Sequence, residues 1–326
     1  MLPDRSKLYI QLTLSIVLFL SELVVGYVAN SIALVADAFH LLNDIASLII
    51  AIYALRLASK EDYDPKYSYG MHRAETLGAL INAVLLIGLC FTIFFEAIPR
   101  FFQPVEIDNP YLLLIIGTIS LCFNIIGVFL FGEPRSAKHK HGVGSLNMYG
   151  VYLHVVGDAL SSFAVVASAL VVLLWEFPAR YYFDPILSIL ITLVLLWMAL
   201  PLIRRTSAIL MQSAPIGIPV PLIEAAILDI DGIVGIHELH IWQLSRLNSV
   251  ASMHVVIPQL KFAEFPTIAT EIKTLLHAHN VHSVTIQPEL HHSVLPLGAC
   301  LLKCDKACSQ SKSCTTTIKS QPYPYT

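Results

Sequence analysis

The chain has 326 residues, of which 56% are hydrophobic and only 13% charged, and its formal net charge is -3. Soluble domains carry about 25% charged residues, so most of this sequence is built for an apolar surrounding. A near-neutral balance with no basic patch interleaved with aromatics excludes nucleic acid as a partner.

Six apolar stretches, approximately 8–29, 32–55, 75–98, 110–132, 148–175 and 183–203, are long enough to span a bilayer, which takes roughly 20 residues each. The first contains Glu22, lacks a small-residue cleavage site and is followed at once by a second apolar stretch, so it reads as a span and not a signal peptide. The fifth exceeds what the hydrocarbon core requires and is expected to tilt or protrude. Arg5 and Lys7 precede the first span; Arg56, Lys60, Lys66 and Arg73 separate the second from the third. Arg135, Lys138 and Lys140 lie between the fourth and fifth, and Arg204 and Arg205 follow the sixth. The opposite loops hold only Arg100 and Arg180. The positive residues therefore predict both termini on the cytoplasmic side.

Span two carries Asp37, His40, Asn43 and Asp44; span five carries His154 and Asp158, followed by Ser161. His-x-x-x-Asp occurs in both, and a spacing of four puts imidazole and carboxylate on one helix face. A charged group at the centre of a bilayer costs about 2.5–3.5 kcal/mol on insertion scales unless it is paired, wet or metal-bound. Two such faces together offer two nitrogens and two oxygens, a donor set for tetrahedral Zn2+ that also suits Co2+, Mn2+ or Fe2+. A structural hydrogen-bond network is the bland reading of one pair, and it is disfavoured for a duplicated one. Exchange of metal for protons follows from ligands that bind metal only when deprotonated. Four protein ligands leave no open position for hydrolysis. His-Glu-x-x-His, Gly-x-Ser-x-Gly and a phosphate-binding loop are all missing from the sequence, so an enzyme or an ATP-driven pump is not expected. A channel remains a rival, as does a metal sensor.

The short loop 132–145 holds His139 and His141 among lysines; it is expected to be a solvated linker, with metal handling as the alternative. His72 and Glu75 open span three, where a helix-start interaction is favoured over a peripheral ion site. Pro215, Pro219 and Pro221 mark a boundary, after which helix 221–230, strands 233–243 and 249–257, helix 265–279 and strand 281–287 are expected. The economical fold is a sheet backed by two helices. This region holds His237, His240, His254, His277, His279 and His282. In a regular strand His237 and His240 would lie on opposite faces. A regulatory metal site is expected to use His237, His254 and a residue near the last strand, with satisfied polar histidines as the alternative. Cys90 and Cys122 read as packing residues in spans, whereas Cys300, Cys304, Cys308 and Cys314 crowd the tail. Metal binding, palmitoylation or no special role are open for them, and the Ser/Thr-rich stretch from 305 onward is expected to be disordered.

Four phrases together resemble the cation diffusion facilitator family, in particular its eukaryotic zinc-transporter branch. They are Ala36-Asp37-Ala38-Phe39-His40 with Asp44, Tyr69-Gly70-Met71-His72-Arg73-Ala74-Glu75, His154-Val155-Val156-Gly157-Asp158-Ala159 and His237-Glu238-Leu239-His240-Ile241-Trp242. The resemblance spans nearly the whole chain and looks greatest to fungal vacuolar and endoplasmic-reticulum members. With the spans and boundaries above, the chain is expected to divide into a six-helix transmembrane domain over 1–210, an α-β-β-α-β cytoplasmic domain over 214–290, which the resemblance implies is metallochaperone-like, and a flexible tail over 291–326. The resemblance also implies a homodimer in an organelle membrane, the plasma membrane being the other option, that moves Zn2+ out of the cytosol in exchange for H+. The transport site would be His40, Asp44, His154 and Asp158, an arrangement that implies zinc selectivity; broader selectivity for Co2+, Cd2+ or Mn2+ is the alternative. The bacterial branch has a histidine where this chain reads Gln287, which weakens a full binuclear regulatory site.

Overall fold

The computed structural model describes residues 3–28, 32–59, 65–102, 110–132, 146–175, 177–245, 248–290 and 317–318. The chain divides into two units, Met1–Ser207 and Ala208–Thr326.

The first unit is six long helices: α1 (Asp4–Val28), α2 (Ile32–Ala58), α3 (Arg73–Phe102), α4 (Pro110–Phe131), α5 (Leu146–Leu174) and α6 (Phe183–Leu210). All six are long and apolar enough to cross a membrane. Helices are the form an isolated span takes, because every backbone polar group must be satisfied inside the segment. Pro110 starts α4, where its missing N–H costs nothing. α6 continues past the expected end at 203 to Leu210, since Arg204 and Arg205 are good helix formers once outside the apolar core. Bulky residues such as Phe129, Trp197 and Phe95 point outward, as a lipid-facing surface requires.

α5 is the hub: it packs against α4, α3 and α2, while α1 packs against α2 and α4. Small residues permit the close approach. At Gly78 of α3, a Cβ would stand 2.5 Å from the Ala54 Cβ of α2. One turn of α5 is held to α2 by the Asn147 Nδ2–H, which donates to the Ala51 carbonyl at 2.7 Å. Arg100 at the end of α3 pairs with Asp184 at the start of α6 at 2.5 Å.

The second unit contains α7 (Val220–Leu228), β1 (Gly235–Gln243), β2 (Ser249–Ile257), α8 (Phe265–Ala278), β3 (Val281–Leu290) and a short β4 (Thr317–Ile318). The sheet order is β3-β2-β1-β4. β1 and β2 are antiparallel, β2 and β3 are parallel with α8 as the crossover, and β4 runs antiparallel to β1. Both helices cover one sheet face. Ile223 and Ile227 of α7 and Ile268, Ile272 and Leu276 of α8 bury against Ile236, Met253, Val255 and Ile257. The i, i+4 spacing of the α8 set is the ordinary amphipathic stripe.

Three local differences from the sequence reading have physical causes. β1 carries a bulge between His237 and His240, where Glu238 has φ of 53°. His237 lies opposite His254 and His240 opposite Ser252, so the extra residue returns both histidines to one sheet face. β3 runs on to Leu290 through Pro288, because an edge strand has one side whose N–H groups need no ladder partner. Within the stretch expected to be disordered, Thr317–Ile318 pairs with Gly235 and Ile236, where β-branched residues meet the free edge of β1.

Replacing Gly78 with Leu should lower stability by about 1–3 kcal/mol, the usual cost of overpacking. Gly88 of the same helix is the control, because a Cβ there meets nothing within 4 Å. Melting temperatures of the detergent-solubilised variants should fall for Gly78→Leu and stay near wild type for Gly88→Leu. Equal losses would contradict the close α2–α3 packing.

Candidate metal centres

Inside the membrane unit, helical spacing and the α2–α5 contact combine. Asp44 projects from α2; His154 and Asp158 project from successive turns of α5. One donor atom from each lies within 4.8 Å of the others. His154 Nε2–H donates to Asp44 Oδ1 at 2.7 Å, and these side chains are only 4% and 10% exposed. The other ring nitrogen of His154, Nδ1, is buried with no hydrogen-bond partner among the described residues. Two carboxylates and an imidazole so grouped, with Asp158 half-buried, can neutralise a divalent cation with one nitrogen and two or more oxygens.

Three of the four expected residues are thus together. His40, one turn before Asp44 in α2, is half-buried and does not belong to the close set. Asn43 is also half-buried, and the side chain of Asp37 lies outside the described residues. The cavity beside the cluster is lined by Gln11 and Ser15 of α1, Asp44 of α2, Asn124 of α4 and Asp158 of α5. Asn124 Nδ2–H donates to Ser162 Oγ at 3.0 Å, and the Ser162 hydroxyl donates to the Asp158 carbonyl at 2.8 Å. Spacing alone extends the polar face to Ser161; the buried, bonded residue is Ser162, one i+4 step from Asp158. Nothing in the spacing along α2 and α5 could point to α1 or α4.

On the open face of the sheet in the second unit, His237, His254 and Glu289 form another compact set. His237 Nε2 and His254 Nδ1 each lie 2.8 Å from one oxygen of the Glu289 carboxylate, which accepts from both. The expected third residue near the last strand is therefore Glu289. Gln287 pairs in register with His254 but is exposed. Ending the strand at 287, before Pro288, conceals Glu289. His240 stands apart and bonds Glu238 at 2.9 Å, exposed. His277 and His282 bring their Nδ1 atoms to 2.8 Å at the α8–β3 turn. His72 and Glu75 belong to no three-ligand set among the described residues. His139, His141, Cys300, Cys304, Cys308 and Cys314 lie outside the described residues.

The profile of the cation efflux transmembrane domain matches residues 8–211, and that of the cation efflux protein cytoplasmic domain matches residues 219–291. The chain belongs to the cation efflux family. It is accordingly a membrane transporter with six transmembrane helices and a small α+β domain, and not an enzyme. It is 37% identical to the vacuolar zinc transporter ZRC1 of Saccharomyces cerevisiae, over 85% of this chain and 81% of that protein. It is 31% identical to the calcium/manganese antiporter SLC30A10 of Homo sapiens, over 97% of this chain and 84% of the relative. With the proton-coupled zinc antiporter SLC30A1 of Mus musculus it shares 28% identity, over 96% and 87%.

If Glu289 completes the second set, Glu289→Ala should weaken zinc binding at that site by more than about tenfold, while Gln287→Ala should change it little. Zinc titration of purified full-length protein, compared with the His237→Ala variant, measures this. Equal effects at 287 and 289 would remove Glu289 from the ligand set.

Proposed function

We propose that the protein carries Zn2+ out of the cytosol into an organelle in exchange for protons, working as a homodimer. The observation that carries this reading is the Asp44–His154–Asp158 cluster between α2 and α5, in which Asp44 and His154 are buried and Asp158 is half-buried. A divalent ion there would balance two carboxylates in an apolar bundle. His40, one turn before Asp44 in α2, is the fourth ligand in this reading. Protonation of the same groups releases the ion, which couples metal and proton movement. Zinc is supported by the imidazole ligands and by the names of the ZRC1 and SLC30A1 relatives; proton exchange is supported by the latter name. A vacuolar membrane is supported by ZRC1, and the Lys and Arg asymmetry supports cytoplasmic termini. The domains divide at 1–210, 214–290 and 291–326 in this reading. The small domain pairs two protomers, and His237, His254 and Glu289 sense cytosolic zinc there.

A second reading has a specific basis. Two carboxylates to one close imidazole form a hard set, and a relative of similar identity is named a calcium/manganese antiporter. Wider selectivity, including Mn2+, would follow.

Purified protein in liposomes should take up Zn2+ when a proton gradient is imposed. Asp44→Ala and Asp158→Ala should each abolish uptake while the variants still elute as wild type from size-exclusion columns. His40→Asp should raise Mn2+ relative to Zn2+ in initial rates. Uptake that ignores the proton gradient would remove the antiport, and an unchanged ion order in His40→Asp would remove His40 from the ligands.

A further inference from the structure

We infer that Gln11 of α1 is a further ion-facing residue, whose carboxamide oxygen helps set which divalent cation the intramembrane site accepts. The inference rests on the proposal that Asp44, His154 and Asp158 hold the transported ion. α1 carries no residue of the close set, yet its buried stripe is unusually polar. Leu8, Gln11, Ser15, Leu18 and Glu22 follow one another in steps of three and four, and all are less than 9% exposed. Gln11 and Ser15 of that stripe line the same cavity as Asp44 and Asp158.

The carboxamide is seated by the fold. At Gly127 of α4 a Cβ would meet Gln11 Oε1 at 2.5 Å and the Val155 side chain at 2.8 Å, so α4 lacks a side chain where the amide lies. Gln11 is 4% exposed, and its Oε1 has no hydrogen-bond partner among the described residues. An acceptor oxygen in an apolar bundle is costly unless a donor or a cation faces it. The same cavity is lined by the Asp44 and Asp158 carboxylates, which also accept, by the Ser15 hydroxyl, and by Asn124, whose amide already donates to Ser162. A cation drawn in by the carboxylates, or water bound to it, gives the carboxamide oxygen a partner as well. A neutral carboxamide oxygen is a hard donor of the kind that larger, higher-coordinate ions use. Gln11 therefore adds an oxygen contact without adding charge, and its identity should bear on the choice between Zn2+ and Mn2+.

The test uses full-length protein in liposomes, with Zn2+ uptake as the reaction and Mn2+ as the competitor. Gln11→Met keeps the length and bulk of the side chain but removes the oxygen. It should raise the half-saturating Zn2+ concentration about tenfold and leave the maximal rate within about twofold, as expected for a lost binding contact. Gln11→Glu adds a negative charge at the same place and should strengthen Mn2+ competition about tenfold. Should Gln11→Met fail to accumulate, the Glu variant carries the test alone. Half-saturation and competition within about twofold of wild type would overturn the inference, given that an interaction of this kind is read as a binding change. Asp44→Ala is measured in parallel. If it is inactive while the Gln11 variants behave as wild type, the transport site stands and Gln11 merely packs. If Asp44→Ala transports normally, the underlying site assignment fails first and takes the inference with it.

Discussion

Two carboxylates brought together inside an apolar helical bundle repel each other and lose part of their water. The cost falls only if a donor or a cation stands between them. Asp44 and Asp158 stand in this relation, and His154 partly answers it through its Nε2 bond to Asp44. The surrounding helices are arranged to keep this set enclosed. α5 occupies the centre, glycines let α3 and α4 close in, and Asn147 ties α5 to α2. In the proposed function, a site with this balance would bind a divalent ion and yield it to protons, which is the chemistry a cation-efflux carrier requires.

The second unit solves the opposite problem. Its core is apolar and continuous, with helices on one sheet face, and the histidines and Glu289 occupy the other. The stabilising core and the candidate metal set are thus separated across the thickness of one sheet. The β1 bulge contributes directly, because the extra residue changes which side chains share the open face. Glu289 then holds His237 and His254 at 2.8 Å each, orienting both rings.

Hydropathy makes the six helices legible, since a run of apolar residues about 20 long has few alternatives. The His-x-x-x-Asp spacing likewise exposes Asp44, His154 and Asp158, because i and i+4 share a helix face whatever the neighbours do. The order α-β-β-α-β can be read from periodicity and proline boundaries. What stays hidden depends on partners distant in sequence. His40 has the right spacing, but proximity to the other three is set by side-chain direction and by how α2 meets α5. Gln11 becomes notable only when α1 is laid beside Gly127 of α4. Glu289 follows Pro288, and a proline ordinarily reads as the end of a strand; the edge position of β3 is what tolerates it. The β1 bulge has no mark in the sequence that distinguishes it from a regular strand.

The central claim is that the intramembrane cluster is where the ion sits. It is tested most directly by counting zinc bound to purified full-length protein in the Glu289→Ala background, which weakens the second set. Adding Asp44→Ala and Asp158→Ala together should remove one tightly bound zinc per protomer. Unchanged zinc stoichiometry and affinity after both substitutions would contradict the account.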